Sequence, residues 1–220
     1  MKKNRMLIMA AACLLLTGCR TELEVNTSYS ELTTKALHTK TALASIEVAS
    51  CSSPEDSRIP SDSLTEMQKL IPNVFKGAKF KECYTRKMNS FASFNIPVGI
   101  GKIDSGSSLD NDLNIISQED GAILAQANED FYRRFRQFLK EQLVDDLDMK
   151  ISVTINNDSG KDIKLNCYSV YVDKTPCPLG STVVKSKSDA VFVLSDVSAD
   201  VILMKDRKND RVMFAGKTDN

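Results

Sequence analysis

The chain has 220 residues, with 29 Lys and Arg against 29 Asp and Glu, a single histidine and no tryptophan. So even a charge balance argues against nucleic acid as a partner. A lone histidine leaves little room for zinc sites or for Ser–His–Asp chemistry.

Lys2, Lys3 and Arg5 precede an apolar run from Met6 to Leu16, which ends in Thr17-Gly18-Cys19. Charged, apolar and small-residue regions in that order make a secretory signal, and the run is too short to cross about 30 Å of hydrocarbon. With a cysteine at the cleavage point, the segment resembles the lipobox of bacterial lipoprotein precursors. Cys13 is a poorer site, because it leaves too short an apolar run after Arg5. The resemblance implies diacylglycerol on the Cys19 thiol, cleavage before Cys19 by signal peptidase II, and acylation (palmitate) of the new amino group. Several chains make such anchoring stable where one would not. Arg20 follows the cysteine where inner-membrane lipoproteins carry aspartate, so the resemblance further implies an outer-membrane, periplasm-facing protein.

Losing residues 1–18 as a signal peptide leaves 202 residues, enough for one large or two small domains. Removing Lys2, Lys3 and Arg5 leaves 26 cations against 29 anions, a net charge of −3. With Cys19 lipidated and Cys13 discarded, Cys51, Cys83, Cys167 and Cys177 remain. An even set in an oxidising compartment suggests two disulfides, with three connectivities. Cys51–Cys83 and Cys167–Cys177 are favoured, since each pair brackets a unit within one half of the chain.

Thr21 to Val25 alternates as a strand, residues 26–41 read as a Ser/Thr-rich tether or loop, and Ala42 to Ser50 reads as a second strand. Ser52 to Ser61 is a loop. Asp62 or Ser63 caps a short helix to about Val74, with Pro72 able to truncate it. Ala78–Met88 and Ala92–Ile100 read as strands, and Pro97 marks the second as an edge or a bulge. Asp104 to Asn111 is a loop dividing an N-terminal half, 19–103, from a C-terminal half, 104–220, unless the two form one continuous domain. Leu113–Ile116 is a candidate strand.

A long helix is predicted over Gln118 to Asp146, with Ile123, Ala127, Phe131, Phe135, Phe138 and Leu139 as its apolar stripe. Met149–Ile155 then turns back through Asn156–Lys161 into Asp162–Val172 as a hairpin. Ser181–Lys185, Ala190–Ser195 and Val201–Lys205 read as strands, with a last hairpin turning at Arg207-Lys208-Asn209-Asp210 into Val212–Ala215. The expected fold class is therefore α+β, with antiparallel sheets and one long and one short helix packed on one face.

No catalytic set emerges. His38 lies in the Ser/Thr-rich stretch near the anchor. Asp110-Asn111-Asp112-Leu113-Asn114 opens like a calcium loop, but Ile115 and Gly121 stand where that template needs Gly and Glu. Glu119 and Asp120, or Asp145, Asp146 and Asp148, suit charged helix ends better than glycan hydrolysis. Gly99-x-Gly101 lacks the third glycine of a dinucleotide loop. In Phe131-Tyr132-Arg133-Arg134-Phe135-Arg136, helical spacing separates a core stripe from a basic face.

The segment Thr21 to Cys51, with Glu-Leu-Glu-Val and Ile-Glu-Val-Ala-Ser-Cys at its ends, is similar to small uncharacterised lipoproteins of phages and prophages. That likeness implies a non-enzymatic role; no cofactor or metal is expected. The expected function is a lipid-anchored envelope protein that binds or modifies the envelope. An accessory subunit of an envelope assembly or secretion apparatus is the alternative, and a periplasmic hydrolase a distant third. Its partners would be the membrane, through its lipid, and an envelope protein.

Overall fold

The structure, a computed structural model, describes residues 20–104, 106–142, 148–203 and 211–218. Strand β1 (Thr21–Ser28) leads through helix α1 (Tyr29–Thr33) to β2 (His38–Val48). Helix α2 (Asp62–Val74) precedes the hairpin β3 (Lys79–Arg86) and β4 (Asn89–Lys102). Short strands β5 (Leu113–Ser117) and β6 (Ala122–Ala127) come before α3 (Glu129–Gln142). Then follow β7 (Met149–Asn156), β8 (Ile163–Val172), β9 (Thr175–Val184), β10 (Asp189–Leu194), α4 (Asp196–Leu203) and β11 (Val212–Lys217).

These strands make a closed nine-stranded barrel in the order β10-β7-β1-β2-β4-β5-β6-β11-β8, returning to β10. The remaining two strands lie outside the ring, β3 against β4 and β9 against β8. β8 closes it by bending. Its Leu165–Cys167 stretch pairs with β11, and beyond Ser169, at φ +52°, Val170–Val172 pair with β10. Ser195 holds the bend, donating its N–H to the Ser169 carbonyl at 3.0 Å.

This overturns the α+β expectation. The strands curl into a ring around their own apolar face, so most of the core is the barrel interior, and the short helices add residues such as Leu64, Phe131 and Ile202 to that core instead of covering one face of an open sheet. Along β4, Phe94, Ile96, Val98 and Ile100 alternate inward and are buried, as their spacing predicts. Phe91, Phe94, Phe192 and Phe214 are also fully buried. Each such side chain contributes about 2–3 kcal/mol by leaving water. A small second cluster, Ile103, Ile116, Ala122 and Leu124, packs separately from this core beside Leu37 and Leu109.

Pro97 sits in a strand with neighbours on both sides, yet it disrupts nothing. β3 stops pairing with β4 at Asn95, and β5 begins at Val98, so Pro97 falls where one neighbour gives way to the next. The expected edge is thus a local one. Both outlying strands carry protection. β3 bears Lys79, Lys81 and Arg86, while Pro176 and Pro178 lie in β9. The two-residue turn Asp173-Lys174, with both φ positive, fixes the phase of the β8–β9 hairpin. In that phase the nitrogens of residues 176 and 178 face the open edge, where proline offers no donor.

The long predicted helix begins only at Glu129. Residues 122–127, including Ile123 and Ala127, are β6, and residues 143–147 lie outside the described residues. Asn128 sets the start, its Oδ1 accepting the Phe131 N–H at 2.7 Å. Phe131, Phe135 and Leu139 are buried as expected, and Phe131 packs at a tilt against Phe75, just past α2, with centroids 5.1 Å apart. In α2 the cap is Ser61, whose Oγ accepts the Leu64 N–H, and Pro72 stays inside the helix.

Residues 26–41 are no tether. They finish β1, form α1 under a Ser28–Glu31 capping box and start β2. The predicted β7–β8 hairpin does not form either, because β10 lies between those strands and β7 pairs in parallel with β1. Val201 belongs to α4 and not to a strand, and β11 pairs with β6 and β8. Its proposed turn at 207–210 lies outside the described residues.

Candidate functional site

A cleft opens at the end of the barrel where β1, β4, β5, β7 and β11 finish and β6 and β8 begin. Its volume is about 590 Å³, within the range that suits small-molecule sites. Two glycines bring its walls together. Gly121, at φ +81°, lets β11 approach so closely that an added Cβ would lie 2.9 Å from the Lys217 Cβ. Gly101, at φ +142°, leaves no room for a Cβ, which would sit 2.7 Å from the Ala36 carbonyl oxygen.

Lys102 ends β4, Lys161 precedes β8, Lys164 lies within it and Lys217 ends β11; all four line the cleft. Among the described residues none of the four forms an ion pair, whereas Arg58, Arg86, Arg133 and Arg134 all do. Glu119 and Asp162 also line the cleft, leaving a formal excess of two positive charges there. The Asp162 carboxylate accepts the Ser186 N–H at 2.9 Å. Several hydroxyls of the wall are committed to backbone: Ser117 donates to the Leu32 carbonyl, Ser159 to Lys161 and Thr218 to Lys164. Burial raises the pKa of Tyr29, which also lines the cleft, so its phenol stays neutral.

Beside the cleft, Glu31 of α1 gathers Lys40 at 2.6 Å, His38 at 3.8 Å and Lys35 at 3.9 Å. The hydrogen bond from Lys40 is the main cause that brings its pKa down to about 2. Asp158 ties the β7–β8 loop to α1 by accepting the Ser30 N–H at 2.9 Å and its hydroxyl. The mouth therefore has a wall of fixed charge beside a set of unpaired lysines.

The residues singled out from sequence scatter. Cys19, Cys13, Asp145 and Asp146 lie outside the described residues. His38 is a strand-end residue whose Nδ1 lies 3.1 Å from the Ala36 carbonyl. Asp112 is buried and pairs with Arg134, which makes it structural. Glu119 and Asp120 stand in the β5–β6 turn, not a helix end; Asp120 accepts the Ala122 N–H. Gly99 and Gly101 are β4 residues. Arg133 pairs with Asp130 on the exposed side of α3.

Cys51 and Cys83 form a disulfide that joins the loop before α2 to β3. Cys167 and Cys177 are free thiols on adjacent strands, the first buried and the second half-buried. Burial, and then its contact with the Cys177 thiol, raise the Cys167 pKa. The lysine cleft went unseen in the sequence, because Lys102 and Lys217 share neither spacing nor motif with Lys161 and Lys164.

Residues 21–215 match the family model described as Domain of unknown function (DUF7424), and the chain belongs to that family. No curated protein and no solved structure matches it.

Proposed function

We propose that this protein is a lipid-anchored lipoprotein of the bacterial envelope, held through Cys19 at the outer membrane and facing the periplasm. Its role is non-enzymatic binding, with the lysine cleft as the binding site. One observation carries this reading. β1 begins at Thr21, two residues after Cys19, and the cleft opens beyond its other end, beside Tyr29. Eight residue steps in a strand span about 26 Å. A lipid at Cys19 would place the first end of β1 against the membrane and present the cleft away from it.

Metabolic labelling with radioactive palmitate tests the anchor. Label that disappears in Cys19→Ala, with the protein moving from the outer-membrane fraction to the soluble periplasm, is the expected result. An unlabelled soluble protein would remove the reading. A subunit role in an envelope assembly is the second reading, favoured by the exposed Leu179 and Val183 on one face of β9. Crosslinking in whole cells separates the two, since a subunit would be recovered with a stable protein partner.

A further inference from the structure

We infer that the cleft at the mouth of the barrel binds a compact ligand carrying at least one phosphate group. This deepens the binding role proposed above and rests on it. Lys102, Lys161, Lys164 and Lys217 come from separate parts of the chain and converge on one cleft of about 590 Å³. The mature chain would be net negative, yet this mouth carries a formal excess of two positive charges. Uncompensated cations in a concave wall repel one another, and an anion drawn into the cleft relieves that repulsion.

The lining also selects among anions. Among the described residues no arginine borders the cleft, so they supply none of the planar forks that suit a carboxylate. Lysine ammonium groups act as point charges with freely turning donors, which suits a tetrahedral phosphate. The hydroxyls of Ser117, Ser159 and Thr218 already donate to backbone carbonyls, so the lysines supply the charged donors of the wall. A phosphate monoester carries a charge of about −1.5 to −2 near neutral pH, so one such group matches the excess of two positive charges at this mouth. The cleft volume limits the ligand to the size of a phosphorylated sugar or a lipid headgroup.

The test is equilibrium dialysis of the purified full chain in neutral detergent against radiolabelled fructose bisphosphate, with citrate and fructose as competitors. Saturable binding with a Kd below about 1 mM at low salt is expected, weakening as salt screens the lysines. Lys161→Ala, Lys164→Ala and Lys217→Ala should each weaken it roughly 3- to 10-fold. The double variant Lys161→Glu/Lys164→Glu should abolish it, and Lys69→Ala on the exposed side of α2 should leave it unchanged. These lysines are exposed or partly so, and an unaltered melting temperature will show that the variants fold.

A water-soluble short-chain phosphatidylinositol bisphosphate distinguishes the ligand's source. Tighter binding than the sugar indicates a lipid headgroup, and equal binding a free phosphorylated compound. Absence of bisphosphate binding, equal competition by citrate, an unaffected double variant, or tighter binding of a single-stranded oligothymidylate would each overturn the inference. Palmitate labelling is independent of every one of these outcomes. A failed anchor and a failed ligand are therefore distinguishable.

Discussion

Arg134 and Asp112 form a largely buried ion pair, with Nη2 2.6 Å from Oδ1, that fastens α3 to the start of β5. The other carboxylate oxygen of Asp112 accepts the Lys76 N–H at 2.6 Å, and Arg134 Nε donates to the Val74 carbonyl at 3.1 Å. One acid thus holds the ends of two helices. Asp112→Ala strands a guanidinium and a backbone donor and should cost about 2–4 kcal/mol. The melting temperature should drop by roughly 5–15 °C, and Asp112→Ala/Arg134→Met should regain part of the loss.

Gly99 lies where a Cβ would meet the Asn114 Oδ1 at 2.0 Å. Gly99→Ala should therefore destabilise by about 1–3 kcal/mol. The obstacle is a side chain and not the backbone, so Gly99→Ala/Asn114→Ala should melt higher than Gly99→Ala alone. Parallel melts that lack this rescue would place the strain elsewhere.

Acid sensitivity should trace to Glu31. Its pKa of about 2 lies below the unfolded value of about 4.3, so its contribution is complete above about pH 5 and fades as pH falls towards 2. Urea midpoints measured across that window should decline for the natural chain. They should decline less steeply for Glu31→Gln, which starts from a lower stability at pH 7.

The cysteines should separate by labelling. Peptide mapping without reduction should recover Cys51 joined to Cys83, across a sequence separation of 32 that stabilises the fold by about 4 kcal/mol. Iodoacetamide on the native protein should modify Cys177 before Cys167, because Cys167 is buried and its thiol ionises less readily. Cys167 should react fully only in denaturant.

Strands with one wet face were legible, and those without one were not. In β7, Met149, Ile151, Val153 and Ile155 are buried between less buried residues, so its alternation survives in the sequence. Every residue of β6 is buried, which removes the period, and its Ala-Ile-Leu-Ala run merged with the helix that follows. The end of α4, from Val201, reads as a strand in the sequence although the helix has a legible cap, Ser195, whose Oγ accepts the Ser198 N–H at 3.3 Å. Pairings failed for another reason. Proximity in sequence suggested β7 with β8, whereas β7 finds β1 at the far end of the chain. The lysine cleft belongs with those failures, being made by closure of the ring and by no single segment.

That closure also orders events in time. β1 pairs with a strand more than a hundred residues later, and β11 seats between β6 and β8. No early portion of the chain can complete a ring by itself, and folding dominated by such distant contacts is slow. The barrel behaves as a clasp that stays open through most of synthesis and shuts only when its final stave arrives. A chain cut before residue 212 should leave β6 and β8 with bare edges and become prey for proteases instead of a smaller version of the same protein.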